Sequence, residues 1–77
     1  MTAKEMFEEL GYESKEDNYF IIYQENTGKI VQYIIQFCKF EQCVELIPQI
    51  EGERHYFTRL NKKMLKAINK QIEELGW

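Results

Sequence analysis

Asn61 to Trp77, NKKMLKAINKQIEELGW, carries the clearest amphipathic helix pattern in the chain. Leu65, Ile68, Ile72 and Leu75 recur at spacings of three, four and three, which stacks them on one side of an α-helix. A stripe of that kind needs something to cover. Asn61 stands where an N-cap is wanted, its side-chain oxygen able to take an amide proton that the first turn leaves unpaired. Gly76 can turn left-handed to end the helix, and Trp77 can fold back onto the last turn as in a Schellman closure. The stretch predicts a terminal helix with Leu65, Ile68, Ile72 and Leu75 pointing inward.

What it covers reads as a small sheet. Tyr19 to Glu25, YFIIYQE, and Lys29 to Cys38, KIVQYIIQFC, are rich in aromatic and β-branched residues, with Asn26-Thr27-Gly28 between them. A three-residue hairpin loop with Gly28 left-handed pairs Glu25 with Lys29, Tyr23 with Val31, Ile21 with Tyr33 and Tyr19 with Ile35. A two-residue loop instead mixes Gln24 into the apolar face, so the first register is preferred. A third strand is expected from Gln42 to Ile47, ended by Pro48, and a tight turn around Phe40 and Glu41 sets Phe37 opposite Val44 and Ile35 opposite Leu46. His55 to Thr58 could add a short edge strand, and polar Glu13 to Asn18 reads as loop.

At the other end, Thr2-Ala3-Lys4-Glu5 fits a capping box, followed by an apolar stripe of Ala3, Met6, Phe7 and Leu10 and a stop at Gly11. A short helix over residues 3–10 follows. FEELGY at Phe7–Tyr12 echoes IEELGW at Ile72–Trp77, which reads as one closure used twice rather than as an internal repeat. The expected architecture is one α+β domain over residues 1–77: helix, three-stranded antiparallel meander, helix. Both helices lie on the face bearing Tyr19, Ile21, Tyr23, Val31, Tyr33, Ile35, Phe37, Val44 and Leu46.

The opposite face would hold Phe20, Ile22, Ile30, Ile34 and Ile47, interrupted by Gln24, Gln32, Gln36 and Glu45. An uncovered apolar patch with polar interruptions is a candidate partner surface. Scattered exposed apolar groups are also ordinary on a monomer.

Charge is the second feature. Residues 1–17 hold two lysines against six acidic residues, whereas residues 54–70 hold Arg54, Arg59, Lys62, Lys63, Lys66 and Lys70 with no acid. Lys62 and Lys63 stand at the positive end of the last helix and Glu73 and Glu74 at its negative end, each placement opposing the dipole. A phosphate-bearing or nucleic-acid ligand for the basic segment is therefore an alternative. The plainer account sets the acidic first helix beside the basic last one. The whole chain is net −3, without the positive field of a typical nucleic-acid binder.

Composition bounds the rest. With 44% hydrophobic residues and abundant aromatics the 77-residue chain is no disordered segment, but it is near the size at which a single core suffices. The start MTAKEMFEEL lacks a signal-peptide core and no apolar run is long enough to span a membrane, so a cytoplasmic setting is expected.

Cys38 and Cys43 would pair across the second hairpin, close enough for a disulfide under oxidation. With one histidine in the chain they do not make a four-ligand zinc site from a single subunit, so buried thiols, no metal and no cofactor are expected. His55 has no nucleophile at a recognisable spacing. Glu8-Glu9 and Glu73-Glu74 are adjacent helical residues, which diverge rather than converge as a catalytic pair. No catalytic residue is expected.

MTAKEMFEELGY at Met1–Tyr12 and LKAINKQIEELGW at Leu65–Trp77 resemble the opening and closing signatures of small, functionally uncharacterised phage and prophage proteins of Gram-positive bacteria. The likeness covers about a third of the chain. That group commonly starts its last helix with a Thr followed three residues later by a Glu; Asn61 and Met64 hold those places here. The resemblance implies a phage-related origin, a bacterial host cytoplasm and a helix, antiparallel strands, helix order, and it brings no functional residues. The leading expectation is a non-enzymatic accessory protein that binds another protein or itself.

Overall fold

The computed structural model describes residues 1–28, 32–49 and 59–77. It is an α+β fold. Helix α1 spans Ala3–Glu9, strands follow as β1 Tyr12–Glu16, β2 Phe20–Glu25, β3 Gln32–Cys38 and β4 Cys43–Gln49, and helix α2 spans Lys62–Glu74. The strands form one antiparallel sheet in the order β1-β2-β3-β4.

Both helix ends follow the local chemistry. Thr2 and Glu5 form the full capping box, Thr2 Oγ1 accepting from Glu5 N and Glu5 Oε1 from Thr2 N. Asn61 Oδ1 accepts from Met64 N at 2.9 Å. At the far end of α2, Trp77 N donates to Ile72 O and Gly76 N to Glu73 O, with Gly76 at φ +73°, which is the Schellman pattern. Gly11, at φ +90°, makes the matching bond to Glu8 O after α1.

The sheet has four strands rather than three, because Glu13–Asn18 is not a loop. Most of it lies in β1, which pairs Tyr12 with Glu25, Ser14 with Tyr23 and Glu16 with Ile21. Hydrophobicity does not reveal β1 because it is an edge strand with one inward apolar anchor, Tyr12. Its turn is fixed by Asp17, whose Oδ1 accepts from the amides of Tyr19 and Phe20 at 2.8 Å. Tyr19 therefore sits in the turn, 59% exposed, and not in the strand.

The β2–β3 register also differs from expectation. Tyr23 faces Ile35 and Ile21 faces Phe37, a shift of four residues from the three-residue loop. An even shift leaves each side chain on its expected face, so the same apolar set meets the helices. Gly28 is left-handed at φ +73°, as the hairpin reading required. Glu25 helps organise this loop: its buried carboxylate accepts from Tyr33 N and Thr27 Oγ1, each at 3.1 Å. Lys29 and Val31, and the edge strand considered at His55–Thr58, lie outside the described residues.

The second hairpin has Phe37 opposite Val44, Ile35 opposite Leu46 and Cys38 opposite Cys43. Its strand runs on to Gln49, with Pro48 paired to Tyr33 instead of ending it. Among the described residues β4 is the outermost strand, and Pro, which has no N–H, is tolerated at such a position.

Both helices contact the Ile21, Tyr23, Ile35 and Phe37 face. Phe7 of α1 stacks on Tyr23 with centroids 3.9 Å apart and meets the edges of Tyr12 and Phe37, while Trp77 closes over Phe37 at 6.3 Å. From α2 come Met64, Ala67, Ile68 and Gln71. Leu65, expected inward, is 44% exposed, and Ile72 and Leu75 are half-buried. The buried face is rotated by roughly 70° from the Leu65 stripe, at about 100° per residue. The reason lies in what the helix meets: Ala67 gives a close-approach position in the core, and the Gln71 amide is held by the Tyr23 hydroxyl at 2.5 Å. A polar residue thereby occupies a core position that an apolar count passes over.

Candidate functional site

On the outer sheet face, Phe20 and Ile22 of β2, Ile34 of β3 and Ile47 of β4 form a diagonal apolar strip. Ile34 lies directly opposite Ile47 and next to the Ile22 row. Phe20, Ile22 and Ile34 are half-buried and Ile47 is 38% exposed. Among the described residues both helices lie on the other face, and none crosses this strip. Gln24 and Gln36 flank it, each amide carrying donor and acceptor. Ile30, the fifth residue expected here, lies outside the described residues.

The strip continues into a group that hydrophobic alternation did not bring together, having set Tyr19 on the opposite face and Phe40 in a turn. The β1–β2 and β3–β4 turns share one end of the sheet, where Lys39 Nζ reaches Glu16 Oε2 at 2.7 Å and Asp17 O at 2.8 Å. There the Tyr19 and Phe40 rings lie 5.6 Å apart, with Phe20 6.5 Å from Tyr19. Phe40 is 76% exposed. The available sequence signal was an aromatic in each polar turn, which no local turn rule requires.

The basic candidates behave differently. Arg59, Lys62, Lys63 and Lys66 are exposed, Lys70 is half-buried and 3.7 Å from Glu73, and Arg54 lies outside the described residues. The helices run antiparallel, and this accounts for much of the charge that opposes α2's own dipole. Glu74 Oε2 accepts from Ala3 N at 2.6 Å, so the acid at the C-terminus of α2 serves the N-terminus of α1. At the opposite end Lys63 and Lys66 share a cleft of about 280 Å³ with Met1, Met6, Glu9 and Leu10, beside the negative end of α1. Among the described residues no ion pair joins the two helices, so the neutralisation is by proximity rather than contact.

The two thiols are free and adjacent on the outer face at the aromatic end. Cys38 is buried and donates to Glu45 Oε1 at 3.2 Å; Cys43 is half-buried and lies 3.8 Å from Glu41 Oε2. The Cys43 thiol, burial and the Glu45 carboxylate together push the Cys38 thiol up to about 12. A thiol so protonated is a poor nucleophile.

Comparison of the chain with protein-family models, with curated proteins and with solved structures finds no match. Among the described residues no helix is long and apolar enough to cross a membrane.

Proposed function

We propose that the protein is a small non-enzymatic accessory protein that works by binding protein through its outer sheet face, a second copy of the chain being the occupant the face fits best. The observation that carries this reading is the strip of Phe20, Ile22, Ile34 and Ile47, which neither described helix crosses and which is continuous with Tyr19 and Phe40. Edge-to-edge pairing is the poorer route: β1 presents Glu13, Lys15 and Glu16, and β4 carries Pro48. Face-to-face packing remains open. A strip bordered by the Gln36 amide, which can both donate and accept, suits a contact repeated across a two-fold axis.

The likeness of Met1–Tyr12 and Leu65–Trp77 to phage and prophage proteins supports a setting in the cytoplasm of a bacterial host. Sedimentation or light scattering over a concentration series tests the reading. A reversible dimer that Ile34→Glu converts to monomer, with an unchanged circular dichroism spectrum, is expected. A chain that stays monomeric at high concentration whether or not it carries that change would rule out the second copy.

A second reading rests on Arg59, Lys62, Lys63 and Lys66, exposed together and outside any ion pair among the described residues. Nucleic acid or a phosphate ligand would use them. Retention on DNA or heparin that falls with salt tests it, and no retention at low salt removes it. It ranks second because the antiparallel helix pair already gives Lys63 and Lys66 a structural role.

A further inference from the structure

We infer that Cys38, Cys43 and Glu45 form a site for one thiophilic divalent cation of the zinc class, with Glu41 beside the fourth position. The expectation of no metal rested on counting cysteine and histidine, and the fold supplies what that count omitted. Direct pairing of Cys38 with Cys43 brings the two sulfurs together. Glu45 lies two residues beyond Cys43 on β4, and so on the same face of the sheet.

The two sulfurs and a Glu45 oxygen all lie within 4.8 Å of one another. A tetrahedral ion with bonds of about 2.3 Å to sulfur and about 2.0 Å to oxygen sets sulfur–sulfur near roughly 3.8 Å and sulfur–oxygen near roughly 3.5 Å. The observed Cys38 Sγ to Glu45 Oε1 and Cys43 Sγ to Glu41 Oε2 separations, 3.2 and 3.8 Å, bracket the second value. Rotamer adjustments suffice. Four residues separate the cysteines, within the usual spacing of a zinc-binding pair.

The charge at this end suits a cation. Two thiols and two carboxylates crowd one hairpin end, and a bound divalent ion would turn their mutual repulsion into shared attraction. Binding exchanges protons for metal: one divalent ion, two neutral thiols and one carboxylate give a complex of charge −1 and two released protons. Soft sulfur donors select zinc, cobalt or cadmium over magnesium and calcium. Such a clip would tie β3 to β4 at the turn, in a domain small enough to gain from a staple.

The test is cobalt(II) titration of the full reduced chain, with its thiols counted beforehand and magnesium as control. Expected are the near-ultraviolet thiolate-to-cobalt charge-transfer band and strong visible bands of tetrahedral cobalt, saturating at one ion per chain and displaced by zinc. Cys38→Ser and Cys43→Ser should each remove at least half of the charge-transfer intensity. Glu45→Gln, at an exposed position, should weaken binding tenfold or more while keeping that band. Absence of the band from the unaltered chain at several-fold excess cobalt would overturn the site. So would saturation at one ion per two chains, or undiminished binding by the Cys38→Ser, Cys43→Ser double variant.

Discussion

The Tyr23 hydroxyl donates to Gln71 Oε1 at 2.5 Å, joining β2 to α2 inside the core, and both residues are buried. Phe7 lies stacked on the same ring, so one tyrosine is held by both helices. Tyr23→Phe keeps the stack and leaves the Gln71 oxygen without this donor, which should cost about 1–3 kcal/mol by urea unfolding. Tyr23→Phe with Gln71→Leu replaces both partners by apolar groups and should cost less than the two single changes together. Strict additivity would show that the bond couples nothing.

The rotated face of α2 gives a second test. Ile68 is buried and Leu65 is 44% exposed, although the sequence pattern places both in one stripe. Ile68→Ala should destabilise by about 2–4 kcal/mol. Leu65→Ala should stay within about 0.5 kcal/mol. Equal losses would restore the stripe read from spacing alone.

Why spacing mistook Leu65 yet found the helix is a physical matter. Asn61, Gly76 and Trp77 act within a turn of their own positions, so local chemistry fixes the ends. Which arc faces inward depends on Tyr23, Phe7 and Phe37, residues remote in sequence. The sheet divides similarly. Alternation assigned Ile21, Tyr23, Ile35 and Phe37 to one face, but four residues of loop length leave alternation unchanged and so escaped it. β1 escaped because its sequence, YESKE, is polar and its pairing is supplied by β2. On the candidate surface, Phe20, Ile22, Ile34 and Ile47 were legible from period two. Tyr19 and Phe40 met only through the juxtaposition of two turns, which no single hairpin encodes.

Gly11 and Gly76 end the two helices with left-handed backbones, but their surroundings differ. A Cβ on Gly11 would stand 2.7 Å from Thr27 Cγ2, whereas one on Gly76 would meet nothing within 4 Å. Gly76→Ala should cost about 1 kcal/mol, the conformational penalty alone. Gly11→Ala should cost more, because it also pushes on the β2–β3 loop, whose Asn26 N donates to Gly11 O at 2.8 Å. Thermal unfolding that ranks the two alike would remove the contact from the argument.

Glu74 links the helices through charge placed on one and used by the other. Glu74→Gln weakens its bond to Ala3 N and removes the negative charge at the N-terminus of α1, which should cost about 0.5–1 kcal/mol and less in high salt. Glu73→Gln removes only the Lys70 pair within α2 and should be near neutral. Paired measurements at low and high salt check both, and a larger loss at Glu73 would contradict the antiparallel dipole account.

Alkaline pH should unfold the protein through two tyrosines. Burial, with the Glu25 carboxylate and Tyr33 adding to it, pushes the Tyr12 hydroxyl up to about 12. Burial, then Glu74, Glu16 and Glu8, does the same for Tyr23. In the unfolded chain these hydroxyls ionise near the ordinary value of 10.0. Between there and 12 the unfolded state holds fewer protons than the native one, so stability present in full below pH 10 declines as pH rises. Tyrosinate absorbance from these two rings should therefore appear together with loss of the native circular dichroism signal. Tyr12→Phe and Tyr23→Phe should each flatten that decline, whatever they cost at neutral pH. Ionisation of both rings near their ordinary value with the fold intact would show that neither lies as deep as the Phe7 stack implies.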